Sequence, residues 1–256
     1  GMNNMAVKLL LKSAIRLKED VEKFADKMIL ECSVDAIYNP LYYAWNPHKA
    51  FIELGGSGGA KTLLLGMNPG PHGMGQMGIP FAATSIVRDL LEIKDLEVYQ
   101  PKNIHPKRLI GGLNWHKEEI SGTRLWNLLS SFYGNKDKIF ANVYVLNHCP
   151  LMFFNGPNAT NITPDKISGS TVKKLIERCD QHLREVVEIM DIEEVIGIGK
   201  YSERRAKIAL EGLGINIKSC WHPSPASPLA NMNKGADWRK NIISVLPSPK
   251  KPNNQV

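Results

Sequence analysis

The chain predicts an α/β protein with three layers, helix–sheet–helix, around a central four-stranded parallel sheet. Four short runs, residues 61–66, 140–146, 195–198 and 215–220, are apolar and rich in branched side chains, the pattern of strands buried inside a sheet. Between them lie stretches with apolar residues at helical spacing, 85–93, 125–132, 171–190, 202–210 and 238–246. Strands that alternate with helices pack as a sheet covered on both faces.

Taken in order, residues 8–30 place Leu10, Ile15, Leu17, Val21, Phe24 and Met28 at helical spacing among Lys, Arg and Glu, so an amphipathic helix is expected there. Residues 39–47, aromatic and punctuated by Pro40 and Pro47, read as an extended packed connection. Residues 55–62 imitate a phosphate-binding loop, but Ala60 stands where the second glycine belongs and the segment precedes a strand instead of following one. A flexible loop leading into the strand is the better reading. The helix of 171–190 carries Leu175, Cys179, Leu183, Val186, Val187 and Met190 on one stripe, as a helix covering a sheet would. Residues 100–121 hold Pro101, Pro106, Gly111, Gly112 and many charges, which predicts a long surface excursion and a candidate nucleic-acid contact. Residues 1–246 are expected to form a single domain, and residues 247–256, made of Pro, Ser, Lys and Asn, a disordered tail.

With 256 residues and 43% hydrophobic content the chain can bury a sizeable core. Its start has charges throughout, unlike a signal peptide or a membrane span, so a soluble intracellular protein with no membrane partner is expected. That setting also discounts the glycosylation sequons at Asn158 and Asn161. Cys32, Cys149, Cys179 and Cys220 form no Cys-x-x-Cys pair, and the histidines no local ligand spacing, so no metal site is expected. A net charge of +7 suits a polyanionic partner.

Chemistry concentrates where strands end. Residues 66–81 follow the first strand as a run of Gly and Pro around Asn68, and ligand sites of open α/β sheets lie at the carboxyl ends of strands. Residues 221–231 follow the last strand and bring His222 to the same edge, and Asn147 ends the second. Taken singly, Asn68 before Pro69 reads as a turn initiator, Phe81 as a core aromatic, Asn147 as a cap and His222 as a satisfied buried histidine. Their joint occurrence at one edge shifts the reading to a site.

The motifs Tyr38-Asn-Pro40, Tyr43-Ala-Trp45, Gly66-Met-Asn-Pro-Gly-Pro71, Gly78-Ile-Pro-Phe81, Ser121-Gly-Thr-Arg-Leu-Trp126, Asn147-His-Cys-Pro-Leu151, Thr163-Pro164 and His222-Pro-Ser-Pro225 occur in that order. Together they resemble the single-strand-selective monofunctional uracil-DNA glycosylases of the uracil-DNA glycosylase superfamily. The resemblance implies hydrolysis of the N-glycosidic bond of uracil, or of another deaminated or oxidised base, in single-stranded and duplex DNA, leaving an abasic site. It implies Asn68 and His222 as the catalytic pair, Phe81 stacked on the base, Asn147 on its Watson–Crick edge, and Met67 and Gly70 lining it. Pro223, Ser224, Pro225, Ala226 and Ser227 would press on DNA, with Ala226 where vertebrate members carry Arg. Two extra residues fall within 231–235. The resemblance implies a monomer without cofactor, working in the bacterial cytoplasm, or in the nucleus if the source is eukaryotic. A related glycosylase preferring xanthine or a 5-substituted uracil is one alternative, and a DNA-binding module with weak turnover is another.

Overall fold

The computed structural model describes residues 2–31 and 33–251, so Cys32 and residues 252–256 lie outside the described residues. Helix α1 (Met2–Glu31) leads into β1 (Ala36–Tyr38), the short helix α2 (Pro40–Tyr43), α3 (Trp45–Gly56) and β2 (Thr62–Gly66). After α4 (Met74–Met77), a π-helical turn at Ile86–Leu90 and an irregular stretch come α5 (Ile120–Tyr133), α6 (Lys136–Asn142) and β3 (Val143–Asn147). The chain continues through β4 (Met152–Asn155), β5 (Thr160–Ile162), α7 (Ser170–Ile189), β6 (Glu194–Ile198), α8 (Lys200–Ala209) and β7 (Asn216–Cys220). It closes with α9 (Pro228–Asn231) and α10 (Ala236–Ile243).

The central sheet has four parallel strands in the order β3-β2-β6-β7. Every residue of β2 is buried, as a central strand covered on both faces must be. Leu63, Leu64 and Leu65 are each wholly inaccessible, and burying a side chain of that size contributes roughly 1.5–3 kcal/mol. The predicted stripe of the fourth long helix is buried in α7 from Leu175 to Met190. Because all four strands run the same way, Gly66, Asn147, Ile198 and Cys220 end at one edge.

Several expectations need correction. Phe140 belongs to α6, not to a strand: the side chain of Asn135 accepts from Lys138 N at 3.0 Å and starts a helix that delays β3 until Val143. Residues 40–47 belong to two helices joined at Ala44 and are not extended. Asn39 caps α2 by accepting from Leu41 N, Pro40 fills the first helical position, and Pro47 sits in the first turn of α3, where no intrahelical N–H is required. Gly55 and Gly56 finish α3, so the loop leading into β2 is only 57–61. The helix expected over 85–93 ends early: residues 84–85 are α-helical and run into the π-helical turn, after which Glu92 takes a left-handed conformation.

A second sheet, β1-β4-β5 and antiparallel, was not expected from strands of three or four residues. Residues 100–121 do not stand away from the body. Tyr38 Oη donates to Arg108 O at 2.8 Å, Gln100 and Ile110 exchange hydrogen bonds, and Ile120 already begins α5. The beginning of the tail is also held: Tyr133 Oη donates to Pro247 O at 2.6 Å, and Lys250 N donates to Asn142 Oδ1 at 3.0 Å. No helix of the described residues is long and apolar enough to cross a membrane.

Candidate active site

The loops that follow β2 and β3 are tied together beyond the sheet. His148 N donates to Gly66 O at 2.9 Å and Cys149 N to Met67 O at 2.8 Å, so the ladder continues past both strand ends. Residues 67–77 are then folded back on themselves by Gly75 N donating to Gly70 O and Gln76 Nε2 to Pro71 O. Loop residues are thereby placed as firmly as a strand would place them.

Asn68 donates through Nδ2 to the main-chain carbonyl of Leu151 at 3.0 Å. A carbonyl only accepts, so the amide orientation is determined and Oδ1 is left as the acceptor. His222 is oriented by the opposite logic. Its Nδ1 lies 3.0 Å from Ser224 N and accepts that N–H, which assigns the remaining proton of the neutral ring to Nε2. Burial lowers the pKa of His222 below its ordinary value and so favours the neutral ring over the cation. One fixed acceptor and one fixed donor therefore belong to the same cavity.

Phe81 adopts a left-handed backbone, φ 56°, rare for a bulky residue and found where surrounding structure enforces it. The enforcement comes from α5: Gly122 lies so close that a Cβ there would fall 2.0 Å from Phe81 O. The Phe81 ring lies 6.1 Å from the His222 ring, between centroids. Asn147 is buried and donates to Met74 Sδ at 3.2 Å, a weak acceptor that leaves much of its capacity free.

These side chains meet in a cavity of about 400 Å³, lined by Met67, Asn68, Gly70, Phe81, Asn147 and His222. Ser224 also reaches it, whereas Pro223, Pro225, Ala226 and Ser227 do not line it. Pro223 is buried, while Pro225 and Ala226 are exposed on the loop's outer surface. A groove of about 530 Å³ beside Tyr42, Tyr99 and Lys102 shares none of these residues. The smaller cavity holds the convergent polar groups, which mark a binding site better than volume does.

The wall also includes residues to which the sequence assigns no role at the site, among them Met74, Glu119 and Asn161. Glu119 lies just ahead of the Ser121-Gly-Thr-Arg motif, and burial raises its carboxyl pKa although the backbone N–H groups of Ser121 and His72 oppose the rise. Asn161 and Thr163 come from one of the discounted sequons, which β5 carries to the cavity wall. Among the described residues no group of three or more His, Cys, Asp or Glu side chains has the arrangement of a metal site.

No family model matches the chain. A single-strand selective monofunctional uracil DNA glycosylase of Bos taurus is 35% identical over 243 residues, covering 93% of this chain and 86% of the relative. The protein of the same name from Rattus norvegicus is 39% identical over 218 residues, covering 84% of this chain and 78% of its own length. That of Mus musculus is 37% identical, covering 84% and 77%. In fold, the chain is similar to the crystal structure of wild-type Pedobacter heparinus SMUG2, with TM-score 0.59 and 18% identity over 82% of this chain and 86% of that one. Identity at this level across most of the length means that the chain belongs to the single-strand selective monofunctional uracil-DNA glycosylases.

Proposed function

We propose that the protein removes uracil from DNA by hydrolysing its N-glycosidic bond, with Asn68 and His222 as the catalytic pair. The observation that carries this reading is the hydrogen bond from Ser224 N to His222 Nδ1, because it leaves a neutral imidazole with Nε2–H as a fixed donor. As the glycosidic bond breaks, negative charge grows on the base and positive charge on the sugar. A donor aimed at a base oxygen in a water-poor pocket lowers that barrier, typically by about 3–4 kcal/mol. Asn68 contributes its free Oδ1, which accepts from a water and holds it against the sugar carbon. An amide has no basic site, so the water is positioned and not deprotonated beforehand. Its oxygen bonds to the sugar carbon as the carbon–nitrogen bond breaks with its electron pair on the base, and its proton passes through solvent to the departed uracil anion.

Base selection follows from Asn147 and Phe81. An amide that donates to a uracil carbonyl and accepts from its ring N–H meets the wrong pattern in cytosine, which offers an amino donor and an unprotonated ring nitrogen. Phe81 supplies a π-face for the extruded base. Extrusion from a duplex costs a few kcal/mol and least from a single strand, where stacking partners are fewer. The exposed methyl of Ala226 fills little of a vacated stack, which favours single strands over duplex. The protein works as a monomer on DNA, in the bacterial cytoplasm or, if its source is eukaryotic, in the nucleus.

The test is incubation with single-stranded and duplex uracil oligonucleotides followed by alkaline cleavage of abasic sites. Cleavage at uracil in wild type, with single-turnover losses of about 100- to 1,000-fold in Asn68→Ala and His222→Leu and nearly unchanged oligonucleotide binding, is expected. Salt-sensitive DNA binding without any cleavage would leave only a binding module. A Schiff base trapped by borohydride would overturn the monofunctional mechanism.

A further inference from the structure

His222 sits in a loop that cannot hold itself. Between β7 and α9 the chain runs His222-Pro223-Ser224-Pro225-Ala226-Ser227, and the two prolines remove two of its backbone donors. The bonds the loop makes internally centre on Ser224: Ser227 N donates to Ser224 O at 2.9 Å and Ala226 N to Ser224 Oγ at 3.1 Å. The carbonyls on either side of Ser224, those of Pro223 and Pro225, are taken by side chains from elsewhere.

One guanidinium serves both. Arg124, in the second turn of α5, donates from Nη1 to Pro223 O at 2.8 Å and from Nη2 to Asn231 Oδ1 at 3.0 Å. Asn231 in turn donates from Nδ2 to Pro225 O at 2.6 Å. Both bonds of Arg124 go to neutral oxygens, which is unlike the carboxylate pairing of a surface arginine. On the other side of the histidine, Trp221 N donates to Asn241 Oδ1 and Trp221 O accepts from Trp238 Nε1, so α10 fixes the preceding residue. Ser224 N, whose hydrogen bond sets the His222 tautomer, lies between the two carbonyls that Arg124 and Asn231 grip. Helix α5 bears on the rest of the site as well: Gly122 seats Phe81, Trp126 Nε1 donates to Pro80 O, and Glu119, just ahead of the helix, lines the cavity wall.

We infer that Arg124 is a positioning residue: with Asn231 it braces the loop so that Ser224 N–H stays on Nδ1 and the Nε2–H of His222 stays in the cavity. The inference rests on His222 being the donor to the leaving base. Losing the brace misaims the donor without removing it, and a misplacement on the order of 1 Å in a reacting group lowers rates by about 100-fold.

The experiment measures single-turnover cleavage of a saturating single-stranded uracil oligonucleotide by wild type, Arg124→Ala, Arg124→Lys, Asn231→Ala, His222→Ala and the double variants, with melting and oligonucleotide affinity recorded for each. Arg124→Ala is expected to slow cleavage about 10- to 100-fold with affinity changed far less, and Asn231→Ala to slow it less. Two residues acting on one bond do not add, so Arg124→Ala on the His222→Ala background should slow cleavage by no more than about threefold further. Millimolar guanidinium should restore part of the Arg124→Ala rate and none of the His222→Ala rate. A folded Arg124→Ala at the wild-type rate, or one whose full loss recurs without His222, overturns the inference while leaving the catalytic pair intact. If His222→Ala itself cleaves at the wild-type rate, the reading of His222 fails and this one with it. Should Arg124→Ala not fold, Arg124→Lys and Asn231→Ala carry the same cycle, and a wild-type rate or a full loss without His222 overturns the inference there as well.

Discussion

Gly66 and Asn147 face each other across β2 and β3, and a Cβ on the glycine would lie 2.3 Å from Asn147 Oδ1 and 2.6 Å from Phe81 Cε2. The end of the central strand is thus bare so that the amide and the ring can share one wall of the cavity. Gly66→Ala must push both aside. It is expected to lower kcat/KM on a single-stranded uracil oligonucleotide by about 10- to 100-fold, while circular dichroism and melting stay close to wild type. Wild-type efficiency in that variant would remove Asn147 and Phe81 from base recognition.

If His222 is the donor proposed above, its partly buried setting should give the pH profile an acid limb. Its pKa is lowered below 6.5 by burial, so the ring is neutral at pH 7 and gains a proton only in more acidic solution. That proton enters at Nδ1, where it competes with Ser224 N–H for the lone pair. Single-turnover rates should therefore stay level down to pH 6.5 and fall below it, and His222→Leu should flatten the limb. A break above pH 6.5 would contradict the assigned tautomer.

Stability has its own pH dependence, which His48 reports. Burial lowers its pKa to about 4, and its Nδ1 lies 2.7 Å from Gly78 O, to which it donates. Below pH 6.5 the unfolded chain takes up a proton that the folded one refuses, so stability is full above 6.5 and is lost as pH falls towards 4. Relative to His48→Gln, wild type should lose about 3 kcal/mol between pH 7 and pH 4, measurable by urea unfolding. Equal pH slopes for the two proteins would show that His48 ionises freely in the fold.

At the outer loop, Ala226 is exposed beside Pro225. A long cationic side chain there would fill a vacated stack and meet phosphates, which matters only where a partner strand must be opened. Ala226→Arg should raise cleavage of duplex substrate more than of single strands. An equal rise on both would mean that added charge alone, through the backbone phosphates, explains the gain.

Much of this was legible beforehand because it was local or periodic. The strands β2, β3 and β6 and the helix α7 announced themselves through apolar runs and a helical stripe, while β7 shows only Ile217 and Cys220 among polar residues; the edge that carries the cavity followed from parallel strands ending together. What escaped was set by contacts distant in sequence. The strands of the second sheet, three or four residues each, have too little pattern to be seen, so Asn161 at the cavity wall was set aside as a sequon. Pro40 and Pro47 signalled extended chain, yet both occupy first-turn positions where proline is compatible with a helix. Arg124 stands in the sequence only as one member of the Ser121–Trp126 motif, since nothing local tells that its guanidinium meets a loop 99 residues later.

The order of the sheet, β3-β2-β6-β7, differs from the order in which its strands leave the ribosome. Asn68 and Phe81 follow β2 and Asn147 ends β3, whereas His222 follows β7, the opposite edge strand, and lines the same cavity from beyond β6. The wall of the cavity is therefore complete only when both edges of the sheet are packed, and a fault at β7 would take the histidine from it while β2 and β3 keep Asn68 and Asn147 in place.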